Sequence, residues 1–444
     1  MQEIKPLFDF SSDKSSILIH QSQAEISINQ HTYMGRCDVR LELFPQACIY
    51  LYGYFPGVPI KDTRDASPLR SGVSSFSLGN QQIEGGIIST GCNVDSQEFD
   101  LKWLPKSQAI CGVGDDSTKI SLLVFHLFNF DNVFGTRRSG EQVGPVEYMI
   151  EHVDLICDQW NVELKSLPST KDTIKKLKEE GGYGLTHIAS VRKANGTSFS
   201  GEDAQACLSS LNYLLSFAKG GWCNPMCAVG FDELGNRVWE FWSPPREPWR
   251  TPLSWFDPQR GDQLAALYPV FMKKWKNNDW RKTLEEVIYW YLSANFLERG
   301  IDVGIILTQV AIERLSYEYA VKDKRLLLPD AFEKLRASDE FRLLFSSLGI
   351  PIDIPKETPG IAKPNKVTGT KWQDAPHALT EIRNSLIHAD NKKRDQFSST
   401  YHEAWHLGLW YLEMGVLAVC EYSGTYRNRL KKRIGSQIEK MPWS

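Results

Sequence analysis

The stretch Glu381-Ile382-Arg383-Asn384-Ser385-Leu386-Ile387-His388 sets the reading of the C-terminal third of the chain. At about 100° per residue, Leu379, Ile382, Leu386 and Ile387 gather into one apolar arc of a helix. Arg383 falls inside that arc. Asn384 and His388 are four residues apart and stack on one face just beyond its edge. A guanidinium stays charged and is rarely buried alone, so Arg383 on a core-facing arc needs a carboxylate, a partner subunit or a bound phosphate. The blander alternatives are that Arg383 snorkels past Ile387 to water and that His388 only favours the helix C-terminus as a cation.

Outward from this helix, the pattern from about Leu264 onward is helical. It predicts helices over Gln263 to Trp275, Trp280 to Leu297, Asp302 to Tyr319, Pro329 to Leu348 as one or two pieces, Asp374 to His388 and Thr400 to Cys420. Asp302 reads as an N-cap, and Pro376 as a helix start. The helix from Asp302 is apolar nearly all round, which makes it central in a bundle, with Gln309 and Glu313 stacked as polar exceptions. Glu313 is the nearest counter-charge for Arg383. Ile350 to Thr370 carries Pro351, Pro355, Pro359, Pro364 and two glycines, and reads as a long irregular loop leading into the Arg383 helix.

Upstream the pattern is β-rich. Ser16 to His20, Ala24 to Ile28, Cys37 to Leu43 and Ile120 to Phe130 carry β-branched and aromatic residues between turn formers. Pro56 to Ser75 reads as a surface loop, and Pro145 to Leu164 as one long strand or a strand pair. Thr170 to Glu180 reads as a helix stopped by Gly181-Gly182. Ser200 with Asp203 forms a capping box that opens a helix closed by Gly220-Gly221, and a hairpin turns at Asp232 to Asn236. The expected architecture is therefore α+β and multidomain: a β-rich region over 1–260, divisible into 1–165 and 166–260, followed by an all-α domain over 261–444.

Composition narrows the function. At 444 residues with a formal net charge of −3, the chain is an ordinary well-packed protein that does not coat nucleic acid indiscriminately, although a local basic site remains open. Nine scattered cysteines read as reduced, mostly buried thiols, and Cys223-Asn-Pro-Met-Cys227 as two small apolar residues rather than a metal pair. The Trp and Tyr side chains of the β-rich region read as core. No window is a spanning helix, and the first residues lack a basic run before an apolar one. The expected location is the cytoplasm, away from membranes. Gly-rich phosphate loops and G-x-S-x-G elbows are not found.

Arg383-Asn-Ser-Leu-Ile-His388 resembles the R-x4-6-H signature of HEPN domains. Gln309-Val-Ala-Ile-Glu-Arg-Leu315 is similar to that family's second core helix. Leu409-Trp-Tyr-Leu-Glu413 and Tyr422-Ser-Gly-Thr-Tyr-Arg-Asn-Arg429 resemble the close of its ApeA-like subgroup, so the resemblance runs from about Asp279 to Arg433. It implies a helical bundle that forms a homodimer with the two motifs facing each other, and a metal-independent endoribonuclease of anti-phage, abortive-infection defence that needs no cofactor. Arg383, Asn384 and His388 would be catalytic and Glu313 supporting. RNA cleavage by its own 2′-OH needs a group of near-neutral pKa and a cation beside the phosphorane, which His388 and Arg383 supply. The basic run Arg427, Arg429, Lys431, Lys432 and Arg433 would hold RNA phosphates, or is a solvated helix end. By analogy, the N-terminal region senses a phage-derived trigger and restrains the nuclease.

A rival signal stands close by. His402-Glu403-Ala-Trp-His406 matches H-E-x-x-H, in which two imidazoles bind zinc and the Glu acts as base. The third ligand is out of place, however: Leu412 stands where a metzincin needs His, and Glu413 and Glu421 continue the same helix. A third class is a HEPN module that only binds or dimerises.

Overall fold

The computed structural model describes residues 4–10, 15–66, 73–79, 81–93, 98–363, 371–387, 397–431 and 438–444. Two large antiparallel sheets and a helical layer make up most of the described residues, with a small two-stranded sheet near the C-terminal end. The first sheet has seven strands, β1 (Ser16–Ile28), β2 (His31–Glu42), β3 (Cys48–Pro56), β4 (Val73–Leu78), β5 (Gln81–Gln82), β6 (Gly85–Asn93) and β7 (Glu98–Pro105), in the order β5-β4-β1-β2-β3-β7-β6. β1 unites the two strand signals at Ser16 and Ala24, because an irregularity between Leu18 and His20 absorbs the break in alternation. The β1–β2 turn places Asn29 and Gln30 at φ 50 and 70, the left-handed pair that a two-residue hairpin with native twist requires.

The second sheet has eight strands: β8 (Ile110–Val113), β9 (Leu122–Phe128), β10 (Arg137–Val143), β11 (Val146–Cys157), β12 (Trp160–Ser166), β13 (Leu185–Lys193), β14 (Met226–Phe231) and β15 (Arg237–Trp242). Their order is β10-β11-β12-β13-β9-β14-β15-β8. Pro145 to Leu164 is thus a strand pair, turned at Asp158 with φ 49. One apolar core lies between the sheets, with Met226, Cys227 and Trp242 reaching into it from the second.

Helix α1 (Ile60–Asp65) lies within the stretch expected to be loop; it buries Asp62, which accepts hydrogen bonds from Tyr33 and Asn29. α2 (Thr170–Glu180) ends at Gly181 as its sequence implies, and α3 (Gly201–Lys219) opens with the Ser200–Asp203 capping box and closes at Gly220, φ 76. The remaining helices are α4 (Gly261–Trp275), α5 (Asn278–Ala294), α6 (Ile301–Tyr317), α7 (Pro329–Phe332), α8 (Ala337–Ser347), α9 (Pro359–Ala362), α10 (Ala375–Ile387) and α11 (Tyr401–Val419). Gly300, at φ 97, is the N-cap of α6; Asp302 sits inside the first turn and does not cap. The expected irregular loop before α10 holds the short α9, and residues 364–370 lie outside the described residues.

A second, larger core runs without interruption from the second sheet through α3 and α4 into the helices, so Leu155, Leu211, Leu267, Leu315 and Leu412 belong to one apolar mass. Packing is therefore continuous across residue 260, and the 165/166 division falls inside β12, one residue before its end, in a strand that pairs with β13 of the same sheet. Trp239, Trp242 and Trp255 are fully buried in these cores, and six of the nine free cysteines are buried. No described helix is long and apolar enough to cross a membrane.

Inside the larger core sits an ion pair with no exposure on either side chain. Arg429 Nη2 and Nε donate to the Glu413 carboxylate at 2.8 and 3.0 Å, and Tyr291 Oη donates to Glu413 Oε1 at 2.6 Å. Arg429 Nη2 also donates to Leu253 O at 2.6 Å and Asn295 Oδ1 at 3.2 Å. Asn295 Nδ2 in turn donates to Gly220 O and Leu253 O at 2.8 Å each. Removing one member of a buried pair strands the other, so Glu413→Ala should lower unfolding free energy by about 3–5 kcal/mol. Denaturant titration followed by circular dichroism checks this; a midpoint equal to that of the wild type would refute it.

Candidate functional site

Helix α10 is seated by its first turn and its apolar face. Asp374 accepts from His377 N at 2.9 Å as a cap does, and is itself held by Arg342 Nε at 2.6 Å. Ala378, Leu379, Ile382 and Ser385 are buried against the bundle. Two polar rungs then lock α10 to α6. Gln309 Nε2 donates to Leu379 O at 2.6 Å, and four residues further on each helix Arg383 Nη2 donates to Glu313 Oε1 at 3.1 Å. The four-residue spacing that stacks Gln309 over Glu313 is matched by that of Leu379 and Arg383.

Arg383 is thus paired with the carboxylate expected from sequence. Its side chain keeps 20% of its exposure and that of Glu313 keeps 32%, so the pair sits in a half-open position. Nη1 donates to Asn384 Oδ1 at 3.3 Å, and the buried Nε has no acceptor among the described residues. Ile387, expected on the apolar arc, is 45% exposed. His388 lies outside the described residues, as do Lys432 and Arg433.

Sequence reasoning missed Glu340. As the fourth residue of α8 it reads as an ordinary acid in a helix first turn, and nothing in its spacing points at α10. In the fold α8 packs against α6 and α10, near enough for the charges of Glu313 and Arg383 to act on the Glu340 carboxyl. Burial, then the charge of Glu313, pushes its carboxyl up to about 7, with Arg383 pulling the other way. Burial also raises Glu313, against the pull of Arg383. The site therefore sets one guanidinium near two carboxyls, both of which burial raises above the ordinary carboxylate range.

The C-terminal basic run does not form one surface among the described residues. Arg429 is the buried partner of Glu413, and desolvation on that scale leaves no face for a phosphate. Lys431 pairs with Glu439. Arg427 lies in the short strand β16 (Thr425–Arg427), paired with β17 (Ile438–Lys440).

The H-E-x-x-H residues occupy the first turns of α11. His402 is exposed, and its ring centre lies 4.6 Å from that of His406. Burial, followed by the nearby charges of Arg429 and His402, pushes His406 down to about 3. Glu403 is turned away from both rings: its two oxygens accept Gly360 N and Ile361 N at 3.0 Å each and cap α9. A carboxylate held by two amides is not poised as a general base, and among the described residues no third His, Cys, Asp or Glu joins the two histidines.

Comparison with known proteins follows this division of the chain. Residues 115–252 match the YopA central domain, and residues 277–439 match the YopA C-terminal domain. The chain is similar to YopA. The SPbeta prophage-derived uncharacterized protein YopA of Bacillus subtilis (strain 168) is 27% identical over 334 residues, covering 73% of each chain. No solved structure matches. The first YopA match begins just before β9 and takes in most of the second sheet; the second runs from α5 through α11, with Glu313, Glu340 and Arg383 inside it.

The raised Glu340 carboxyl makes a pH-dependent contribution to stability whose sign is fixed. The folded chain holds this proton more tightly than the unfolded chain, so the fold loses stability as pH rises from about 4.5 through about 7. Glu340→Gln removes that loss. In thermal melts across a buffer series, the melting temperature of the variant should climb relative to wild type through this window and level off above it; a pH-independent difference would contradict the placement of Glu340.

Proposed function

We propose that the chain is a HEPN-type endoribonuclease of the ApeA-like kind, whose cleavage centre is Arg383 and Asn384 with His388. The observation that carries the reading is the half-open Arg383: a guanidinium fixed by Glu313 on a helix face, with its Nε lacking an acceptor among the described residues. Such a cation suits the charge that grows on a phosphate when the adjacent 2′-OH attacks it. His388 would take the 2′-OH proton and return one to the departing 5′-oxygen. Asn384, already bonded to Arg383, would orient the phosphate.

Ile387 supports the dimer that this mechanism needs. An exposed apolar side chain beside a charged pair is suited to a two-fold interface, in which each motif meets its copy and both arginines face one phosphate. The core shared by the second sheet and the helices offers a physical route by which the β-rich region restrains the site until a phage-derived trigger arrives. That a similar protein is prophage-derived fits a role in conflict between phages and their hosts.

Once released by its trigger, the purified chain should cut RNA in the presence of EDTA and leave 2′,3′-cyclic phosphate ends. His388→Ala and Arg383→Ala should each lower the rate about 10²–10⁴-fold while the protein stays folded. A wild-type protein that dimerises but leaves RNA intact under every trigger tried would favour a binding scaffold. EDTA-sensitive proteolysis lost in Glu403→Ala would favour the zinc reading instead.

A further inference from the structure

On another face, three separated segments build a cleft of about 450 Å³. Gly220-Gly221 ends α3 and lets the chain turn so that Trp222 forms one wall. A Cβ at Gly221 would lie 2.5 Å from Glu247 Oε1, so the loop after β15 packs its side chains closely over this turn. That loop brings Arg246 and Arg250, and the end of α5 with the connection to α6 brings Tyr289, Phe296 and Arg299.

The lining carries three arginines and one glutamate in a chain whose formal net charge is −3. Arg250 is neutralised locally: its Nε donates to Glu247 Oε1 at 3.0 Å, and its Nη1 donates to Asn295 O at 3.2 Å. The other two are not. Arg246 holds its guanidinium carbon 4.2 Å from the Trp222 ring centre, and Arg299 lies 5.3 Å from that of Phe296, each without a carboxylate among the described residues. Both are exposed at the mouth. Tyr289 is 50% exposed, with its ring centre 6.4 Å from that of Trp222.

Two flat cations fixed on aromatic rings await an anion, and a half-bare tyrosine beside them awaits a flat apolar partner. A free phosphate would satisfy only the arginines, and an apolar peptide only the tyrosine. The volume lies in the range of small-ligand sites. We propose that this cleft binds a nucleotide unit, with the base stacked on Tyr289 and the phosphate held by Arg246 and Arg299. Base–aromatic stacking and arginine contacts to phosphate are the two interactions that nucleotide recognition combines. The assignment is independent of Arg383 and of RNA cleavage.

Isothermal titration of the full chain tests it with four probes: AMP, adenosine, inorganic phosphate and a short 2′-O-methyl oligoribonucleotide, which has no free 2′-OH to attack. AMP or the oligonucleotide should bind once per chain and more tightly than adenosine or phosphate. Arg246→Ala and Tyr289→Ala should each weaken binding about tenfold or more, the equivalent of one lost contact. Both side chains are exposed, so melting temperatures should hold, and Arg299→Glu should weaken binding further by reversing a charge. Oligonucleotide binding that is tighter than AMP binding and is weakened by Arg246→Ala would assign the cleft to a nucleic-acid strand, and AMP binding at least as tight would assign it to a free nucleotide. Failure of both AMP and the oligonucleotide to bind, affinity unchanged in both alanine variants, or phosphate binding as well as AMP would each overturn the proposal.

Discussion

The buried pair of Glu413 and Arg429 is the constraint on which the helical half depends. Two opposite charges without exposure are tolerable only if their hydrogen bonds are largely satisfied, and here Tyr291, Asn295 and Leu253 O complete most of the set. Those partners come from α5, α11, the segment after the second sheet and the chain beyond α11. Through Asn295, the network also reaches the carbonyl of Gly220 at the end of α3. One ion pair therefore ties the sheet-covering helix, the bundle and the C-terminal segment together, and it lies within the core that crosses the junction between the β-rich and helical regions.

Against that background, Arg383 is a different kind of cation. Arg429 is enclosed and bidentate on its carboxylate; Arg383 meets Glu313 through one nitrogen, keeps part of its surface in solvent and has a carboxyl near neutrality as neighbour. Burial removes the first from any role with a ligand. Partial exposure leaves the second available to a phosphate, and the Gln309 and Glu313 rungs hold it in one orientation before any ligand arrives.

Much of this was legible in the sequence because local chemistry specified it. The Ser200 capping box, the stop at Gly181, the hairpin at Asp232 and the six helices after Leu264 each follow from residues within one or two turns of one another. The Arg383–Glu313 pair was legible for a related reason, since a charge on an apolar arc demands a partner and Glu313 was one of few polar residues on a central helix. What failed was what depends on distant packing. Arg429 looked like one basic residue in an exposed run because nothing nearby in sequence announces that Glu413 lies beneath it. Glu340 acquires its shifted carboxyl only when α8 packs beside α6 and α10, and Ile387 stands exposed although its spacing puts it on the apolar arc. The H-E-x-x-H match likewise concealed a cap: Glu403 serves the amides of α9, some forty residues earlier in the chain.

The centre of the account is that Arg383 and His388 act on one phosphate. A crystal structure of the full chain with an RNA whose scissile 2′-OH is replaced by hydrogen would test this most directly. The account predicts a dimer with the scissile phosphate within hydrogen-bonding distance of Arg383 and the imidazole of His388 beside the 2′-position. RNA bound elsewhere, with Arg383 closed on Glu313 and His388 directed away from it, would contradict it.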